Sequence, residues 1–315
     1  MSTKIFVILP VKDLEKSIAF FSSTVQPGYT LDRHKSAAQM TAAAPDIVTL
    51  DALARLIPDG ASVAIPPDYS GCAMSAVKAL IRHGAKRLHL IGVPSGGFQA
   101  DWLIGAGCVA SVEAAALTLG EFGVPPRFAA AIKAGTVKML DATCPAIHAG
   151  LQAAEKGTPF IPLRGILGSD LLKYRPDWQV IDNPLSDSPD PIVLIPAIKP
   201  DVALFHARAA DRHGNVWIGV RRELMLMAHA ARQTLVTVER IEDADYLADD
   251  AMAAGTIPAL YISGIAEVPH GAHPVGVPGA YAQDEAALTA YVEAAQTEEG
   301  FRRWLNETVI GGVPA

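Results

Sequence analysis

From Gly60 to Gly157 one unit recurs: a short apolar run, a loop carrying glycine or proline, a stretch with helical spacing, then a glycine. Ser62–Ile65 is the first apolar run. Ala73, Met74, Val77, Leu80 and Ile81 then fall on one helical face before Gly84, which supplies a left-handed stop. Leu88–Ile91, Ser111–Leu119 and Val137–Leu140 read as the next strands. Pro125 and Pro126 open a helix where a missing amide hydrogen is harmless, and Gly135 closes it. Pro145 opens another, Gly157 ends it, and Pro159 blocks its continuation. Short apolar strands alternating with helices predict an α/β fold, a mainly parallel open sheet flanked by helices. Ligands bind such sheets beyond the carboxyl ends of the strands, which directs attention to loops 66–72, 92–101, 120–126 and 141–145.

The second half is less regular. Ile192–Ile195, Val202–Phe205, Thr234–Val238 and Ala259–Ile262 read as strands, and Arg222–Arg232 and Glu285–Ala295 as helices. No linker separates the halves, so 45–315 is expected to form one domain whose sheet continues into its C-terminal part. Residues 1–44 differ in composition and join it through an alanine-rich link, Ser36 to Pro45. Within them, Leu9-Pro10-Val11-Lys12-Asp13-Leu14-Glu15-Lys16-Ser17 resembles the opening βα unit of the glyoxalase/bleomycin-resistance superfamily, a likeness confined to residues 1–21. The further strands and metal ligands of that superfamily do not follow. Residues 1–44 are therefore read as an appended leader with no independent fold and no site of its own.

Half of the residues are apolar and 19% are charged, which excludes wholesale disorder. No run of about 18 apolar residues is present, so no membrane span is expected. The net charge is −7 and the basic residues form no aromatic-interleaved stripe, which argues against nucleic acid as the main partner. Cys72, Cys108 and Cys144 are odd in number and form no CxxC pair, as suits a reducing, cytoplasmic setting. His270 and His273, three residues apart, lack further ligands, and no metal is expected. His213-Gly214-Asn215 reads as a turn between strands, pinned by Asp211 and Asn215 through side-chain to backbone bonds.

Several segments, in this order, resemble the α subunit of the family I coenzyme A transferases, of which glutaconate CoA-transferase is one. Ser70-Gly71-Cys72-Ala73-Met74 is similar to the family's first glycine-rich loop, and Asp101-Trp102-Leu103-Ile104-Gly105-Ala106-Gly107 to a later segment. Gly120-Glu121-Phe122-Gly123-Val124-Pro125-Pro126, Gly150-Leu151-Gln152-Ala153-Ala154, Pro159-Phe160-Ile161-Pro162 and Gly168-Ser169-Asp170 continue the likeness. Pro200-Asp201-Val202-Ala203, Asp211-Arg212-His213-Gly214-Asn215, Val238-Glu239-Arg240-Ile241 and Pro269-His270-Gly271-Ala272-His273-Pro274 complete it. Each is weak alone; their order over roughly 46 to 310 makes the likeness specific.

The resemblance implies that coenzyme A is a substrate, moved between an acyl-CoA and a carboxylic acid. It also implies a β subunit of similar fold, in an αβ or α2β2 assembly, that carries the nucleophilic glutamate. Relay through a glutamyl thioester splits one hard step into two easier ones. Glycine-rich loops let backbone amides approach an oxyanion, so Ser70, Gly71, Ser95, Gly96 and Gly97 are candidates for the substrate and CoA walls. Asp68 and Tyr69 stand with Pro66 and Pro67 where the family commonly has glycines, and two prolines remove two amide donors. Asp68 is read either as a hold on a polar substrate group or as a turn residue. For Glu121 three roles stay open: nucleophile, polar contact to substrate or partner, and solvated loop residue. Cys144, at a predicted helix start, is either a reactive thiolate or a neutral buried cysteine. Two alternatives accompany the transferase. One is a CoA-ester or ring-opening hydrolase of the same fold, whose acidic residue is replaced here by Cys144. The other is a ligand-sensing module without chemistry, though no basic recognition helix precedes the domain.

Overall fold

A computed structural model describes residues 45–311. The reading of residues 1–44 as a leader lies outside the described residues. Eight strands form the main sheet: β1 (Asp46–Ile47), β2 (Ser62–Ile65), β3 (Leu88–Gly92), β4 (Val109–Ala114), β5 (Lys138–Asp141), β6 (Val202–Ala207), β7 (Gln233–Val238) and β8 (Gly264–Glu267). Their order is β1-β8-β7-β6-β2-β3-β4-β5, and every neighbouring pair is parallel. The principal helices are α1 (Leu50–Arg55), α2 (Met74–His83), α3 (Phe98–Gly105), α4 (Pro126–Ala134), α5 (Cys144–Lys156), α6 (Arg222–Ala230), α7 (Glu285–Ala295) and α8 (Glu298–Leu305).

Strand residues alternate between two buried faces, which is why the central strands read as continuous apolar runs rather than polar–apolar alternations. Val63, Ile65, Leu88 and Leu90 face α1, α2, α3, α7 and α8. Ala64, Ile91, Val93 and Phe205 face α5, α6 and a small antiparallel sheet. That sheet has Pro191–Pro196 at its centre, between Phe160–Leu163 and Gln179–Asp182. On the first face an aromatic cluster joins distant parts of the chain. Trp102 lies 5.6 Å from Tyr291 and 4.6 Å from Trp304, and Phe98 lies 5.8 Å from Tyr291. Asp101, fully buried, binds this cluster to α4: it accepts from the Tyr291 hydroxyl at 2.6 Å and from the Phe128 amide at 2.7 Å.

Glycine stops behave as the sequence predicts. Gly84, Gly135 and Gly157 end α2, α4 and α5 with φ of 70°, 68° and 70°. The turn after Asp211 is held as expected: its Oδ1 accepts from the amides of His213 and Asn215, both at 2.9 Å. Three expectations are corrected. Ala259–Ile262 is not a strand; Ala259–Tyr261 is a 3-10 turn, and the strand β8 begins at Gly264. The cause is tertiary, because Pro258 precedes the turn and the Asn215 side chain takes the Ala259 amide at 2.9 Å. Ser111–Leu119 is not one strand but β4 plus a separate pair, Ala116–Leu117, alongside Ser95–Gly96. Ile192–Ile195 belongs to the small antiparallel sheet, not to the main one.

Candidate active site

Among the described residues β2 is the first strand longer than two residues. β3, β4 and β5 spread to one side of it, whereas β6, β7 and β8 spread to the other. Strand order therefore reverses between β2 and β6, and the crevice beyond the carboxyl ends of the strands at such a reversal is the usual ligand site of these sheets. The loop after β2 makes a 3-10 turn at Asp68–Ser70 and then Gly71, with φ of 92°. The Gly71 carbonyl accepts from the His206 amide at 2.8 Å. A Cβ on Gly71 would overlap the His206 carbonyl oxygen, so glycine is required both for the left-handed turn and for the close approach.

Asp68 lies across the start of α3. Its two carboxylate oxygens accept from the Phe98 amide at 3.1 and 3.2 Å, and the Cys72 thiol lies 3.5 Å away. Gly97 has no side chain, and any Cβ there would overlap this carboxylate. Burial pushes the Asp68 carboxyl up to about 6, against the opposing pull of the Phe98 and Cys72 bonds. The same burial, reinforced by the Asp68 charge, pushes the Cys72 thiol well up. Gln99 of α3 completes the contact, accepting from the Ala73 amide at 3.0 Å and donating to the Pro66 carbonyl at 3.2 Å. Of the two prolines that remove amide donors, Pro66 thus has its carbonyl satisfied by α3, and the Pro67 carbonyl accepts from the Ser70 amide at 2.9 Å. Tyr69 is exposed, with the Arg221 guanidinium 5.6 Å above its ring. Ser70 is buried and donates to the carboxylate of Glu223 at the start of α6.

The structure brings Asp68, Tyr69, Ser70 and Gly71 together with Ser95, Gly96 and Gly97 through the Asp68–Phe98 bonds. Ser95 and Gly96 pair in parallel with Ala116 and Leu117, and the Gly96 carbonyl accepts from the Thr118 amide at 3.0 Å. Glu121 is exposed in the 3-10 turn Gly120–Phe122, beyond β4 and two strands to the side of β2. Cys144 is exposed at the first turn of α5, beyond the edge strand β5; the buried cysteines are Cys72 and Cys108. Neither Glu121 nor Cys144 borders the β2–β6 crevice.

A second cluster, unmarked by spacing in the sequence, closes the other wall. His206 is fully buried; its Nδ1 meets the Thr237 hydroxyl at 2.8 Å and its Nε2 meets Glu239 at 2.7 Å. Glu239 also accepts from the Tyr281 hydroxyl at 2.8 Å and the His270 amide at 2.6 Å. Partial burial works to raise its pKa, but the three donors outweigh it and hold the carboxyl down at about 2. Tyr281 is pushed up by burial and by the Glu239 charge. His273 turns to Asp284 at 3.0 Å, while the His270 ring packs on Tyr281. Among the described residues no three metal-ligating side chains cluster. One signal was available in the sequence: a histidine inside the apolar run Val202–Ala207 needs a buried partner.

A family model described as "Coenzyme A transferase" matches residues 48–267. The chain is 34% identical over 280 residues to one of the subunits of 3-oxoadipate CoA-transferase from Pseudomonas knackmussii, covering 84% of this chain and 94% of that one. It is 33% identical to an uncharacterized protein of Archaeoglobus fulgidus, of which it spans 58%. Among solved structures, glutaconate coenzyme A-transferase of Acidaminococcus fermentans superposes with a TM-score of 0.77 at 27% identity, covering 85% of this chain and 89% of that one. A variant of the decarboxylase AibA/AibB superposes with a TM-score of 0.74 at 30% identity, covering 85% and 99%. With two thirds of its length inside the family model and its sheet matching solved members, the chain belongs to the coenzyme A transferase family.

Proposed function

We propose that the chain is the α-type subunit of a heteromeric acyl-CoA transferase, with coenzyme A as substrate and the nucleophilic glutamate on a β-type partner, in an αβ or α2β2 assembly. One observation carries the division of labour: the carboxylates that border the crevice are already engaged. Asp68 holds the Phe98 amide, Glu223 takes the Ser70 hydroxyl, and Glu239 accepts from three donors. Donors that hold a carboxylate draw off its charge and fix its orientation, and both make it a weaker nucleophile. The walls made by loops 66–71 and 93–97 then position the thioester. The partner's glutamate attacks its carbonyl carbon, giving an acyl anhydride and CoA thiolate. The thiolate attacks the glutamyl carbonyl, releasing the acid and leaving a glutamyl thioester. A second acid collects CoA by the reverse steps, so no water is consumed. Residues 45–315 form the α-type unit in this reading, 1–44 an appended segment without a site, and the setting is cytoplasmic.

Co-expression with the product of the adjacent reading frame, followed by assay of CoA exchange between acyl-CoA and free acids, tests the proposal. Exchange is expected from the complex and not from this chain alone. Glu121→Ala is expected to slow the complex less than tenfold, whereas removing the partner's glutamate abolishes exchange. Equal losses from both changes would make Glu121 catalytic, and release of free CoA without an acceptor acid would mark a hydrolase instead.

A further inference from the structure

The segment after β8 crosses the carboxyl ends of its neighbours, and each step of the crossing is tied. The Val268 amide donates to the Val238 carbonyl at the end of β7 at 2.7 Å, and the His270 amide to Glu239 at 2.6 Å. Gly271 then passes the His206 ring of β6 so closely that a Cβ there would come within 2.6 Å of Nδ1. Its carbonyl accepts from the Ser75 amide, in the first turn of α2, at 2.9 Å. That amide is among the four a helix leaves unpaired at its start, so the segment caps the helix into which the first loop runs. Residues 268–274 thus form a strap from β8, past β7 and β6, to the start of α2.

One carboxylate holds the strap. Glu239 Oε2 takes the His270 amide, while Oε1 takes the Tyr281 hydroxyl at 2.8 Å and meets His206 Nε2 at 2.7 Å. The same hydroxyl accepts from the Ala272 amide at 3.1 Å, which ties the strap a second time. His206 in turn donates its own amide to the Gly71 carbonyl at 2.8 Å. Glu239 is therefore linked to the first loop by two routes, one through His206 and one through Gly271 and Ser75. The grip has a conformational cost. His270 has φ of 57°, a left-handed backbone that costs a residue with a Cβ roughly 1 kcal/mol or more. Such a backbone persists where surrounding bonds over-determine it, as the Glu239 bond to the His270 amide does here.

We propose that Glu239 is a positioning residue: through the strap and His206 it fixes the first loop, Asp68–Gly71, in the place where that loop walls the coenzyme A substrate. The loop's task rests on the transferase reading, whereas the linkage rests on contacts within this chain alone.

Hydrogen–deuterium exchange of the full-length chain, and calorimetric titration of the complex with coenzyme A, test the proposal. Glu239→Met keeps the length of the side chain and removes both acceptor oxygens. Amides of 68–76 and 268–274 are then expected to exchange about tenfold faster, while those of β3 and β4 keep their protection. A general loss of stability would speed β3 and β4 equally, and that result overturns the proposal. The Kd for coenzyme A is expected to rise about tenfold; an unchanged Kd with those peptides loosened overturns the loop's role in the site. His270→Gly, which suits the left-handed turn and removes only the ring, is expected to weaken binding less than Glu239→Met. An equal loss would make the imidazole the group that meets coenzyme A, against the proposal. Melting curves identify a Glu239→Met that does not fold. Tyr281→Phe, which loses one donor to Glu239 and the acceptor for Ala272, then carries the test, with smaller changes expected in the same peptides. Unaltered exchange at 68–76 in a folded variant refutes the linkage even where the complex is active. Localised loosening and weakened binding in a complex that exchanges no CoA would sink the transferase reading alone.

Discussion

Asp68 shows how burial reverses an ordinary expectation. A carboxylate on a helix N-terminus is normally stabilised in its charged form. Here desolvation wins, and the carboxyl is raised from 3.8 to about 6. Because the folded pKa lies above the unfolded one, the native state favours the protonated acid. Its contribution to stability is greatest below about pH 4, declines as pH rises toward 6, and is lost above that. Asp68→Asn keeps an acceptor for the Phe98 amide and removes the charge. It is expected to stabilise the protein at pH 7 by roughly 2 kcal/mol, allowing for partial solvation. Urea unfolding from pH 4 to 7 should be flatter in the variant by that amount; parallel curves for the two proteins would refute the assignment. The sequence marked Asp68 as either a turn residue or a polar hold, and could not show that the acid turns inward onto α3.

At the scale of the element, the helix stops were legible because a left-handed terminus needs glycine wherever it occurs. Gly157 isolates that effect, since a Cβ there meets nothing within 4 Å and φ is 70°. Gly157→Ala is expected to cost about 1 kcal/mol, purely conformational. Gly165, equally open but without positive φ, is the control. Gly165→Ala should change stability by less than about 0.5 kcal/mol in the same denaturant titration. Equal costs at both positions would show that space rather than backbone conformation sets the penalty. Strand assignments were less secure where a short apolar run could be satisfied in another way. Ala259–Tyr261 forms a turn because Asn215, 44 residues earlier, supplies the acceptor that a sheet neighbour would otherwise provide.

Across the whole molecule, Arg175 joins the small antiparallel sheet region to the main sheet. It is 3% exposed, and its guanidinium donates to Glu113 of β4 at 2.7 Å and to the Asp141 carbonyl of β5 at 3.1 Å. It also binds Asp177 at 2.7 Å and lies over the Trp178 ring, 4.2 Å from its centroid. Arg175→Met would leave Glu113 buried without this partner and is expected to cost on the order of 3 kcal/mol. Adding Glu113→Gln should recover more than half of that loss, as read from thermal unfolding of the single and double variants. A double variant no more stable than Arg175→Met alone would show that the loss comes from packing on Trp178 instead.

The sequence by itself determined the alternation of elements, the glycine-stopped helices and the place of the first loop Asp68–Gly71, because these depend on local spacing and local backbone limits; the transferase family was legible in it as a resemblance of motifs in order. Only the tertiary structure decided which side chains meet: Asp68 with Phe98, His206 with Glu239, Tyr281 with Glu239, Glu113 with Arg175, and Arg208 with Trp217. Periodicity reports which face a residue occupies, not which distant strand or loop will lie opposite. That was set by the order of strands across the sheet, where the reversal between β2 and β6 brings residues more than a hundred positions apart to one crevice.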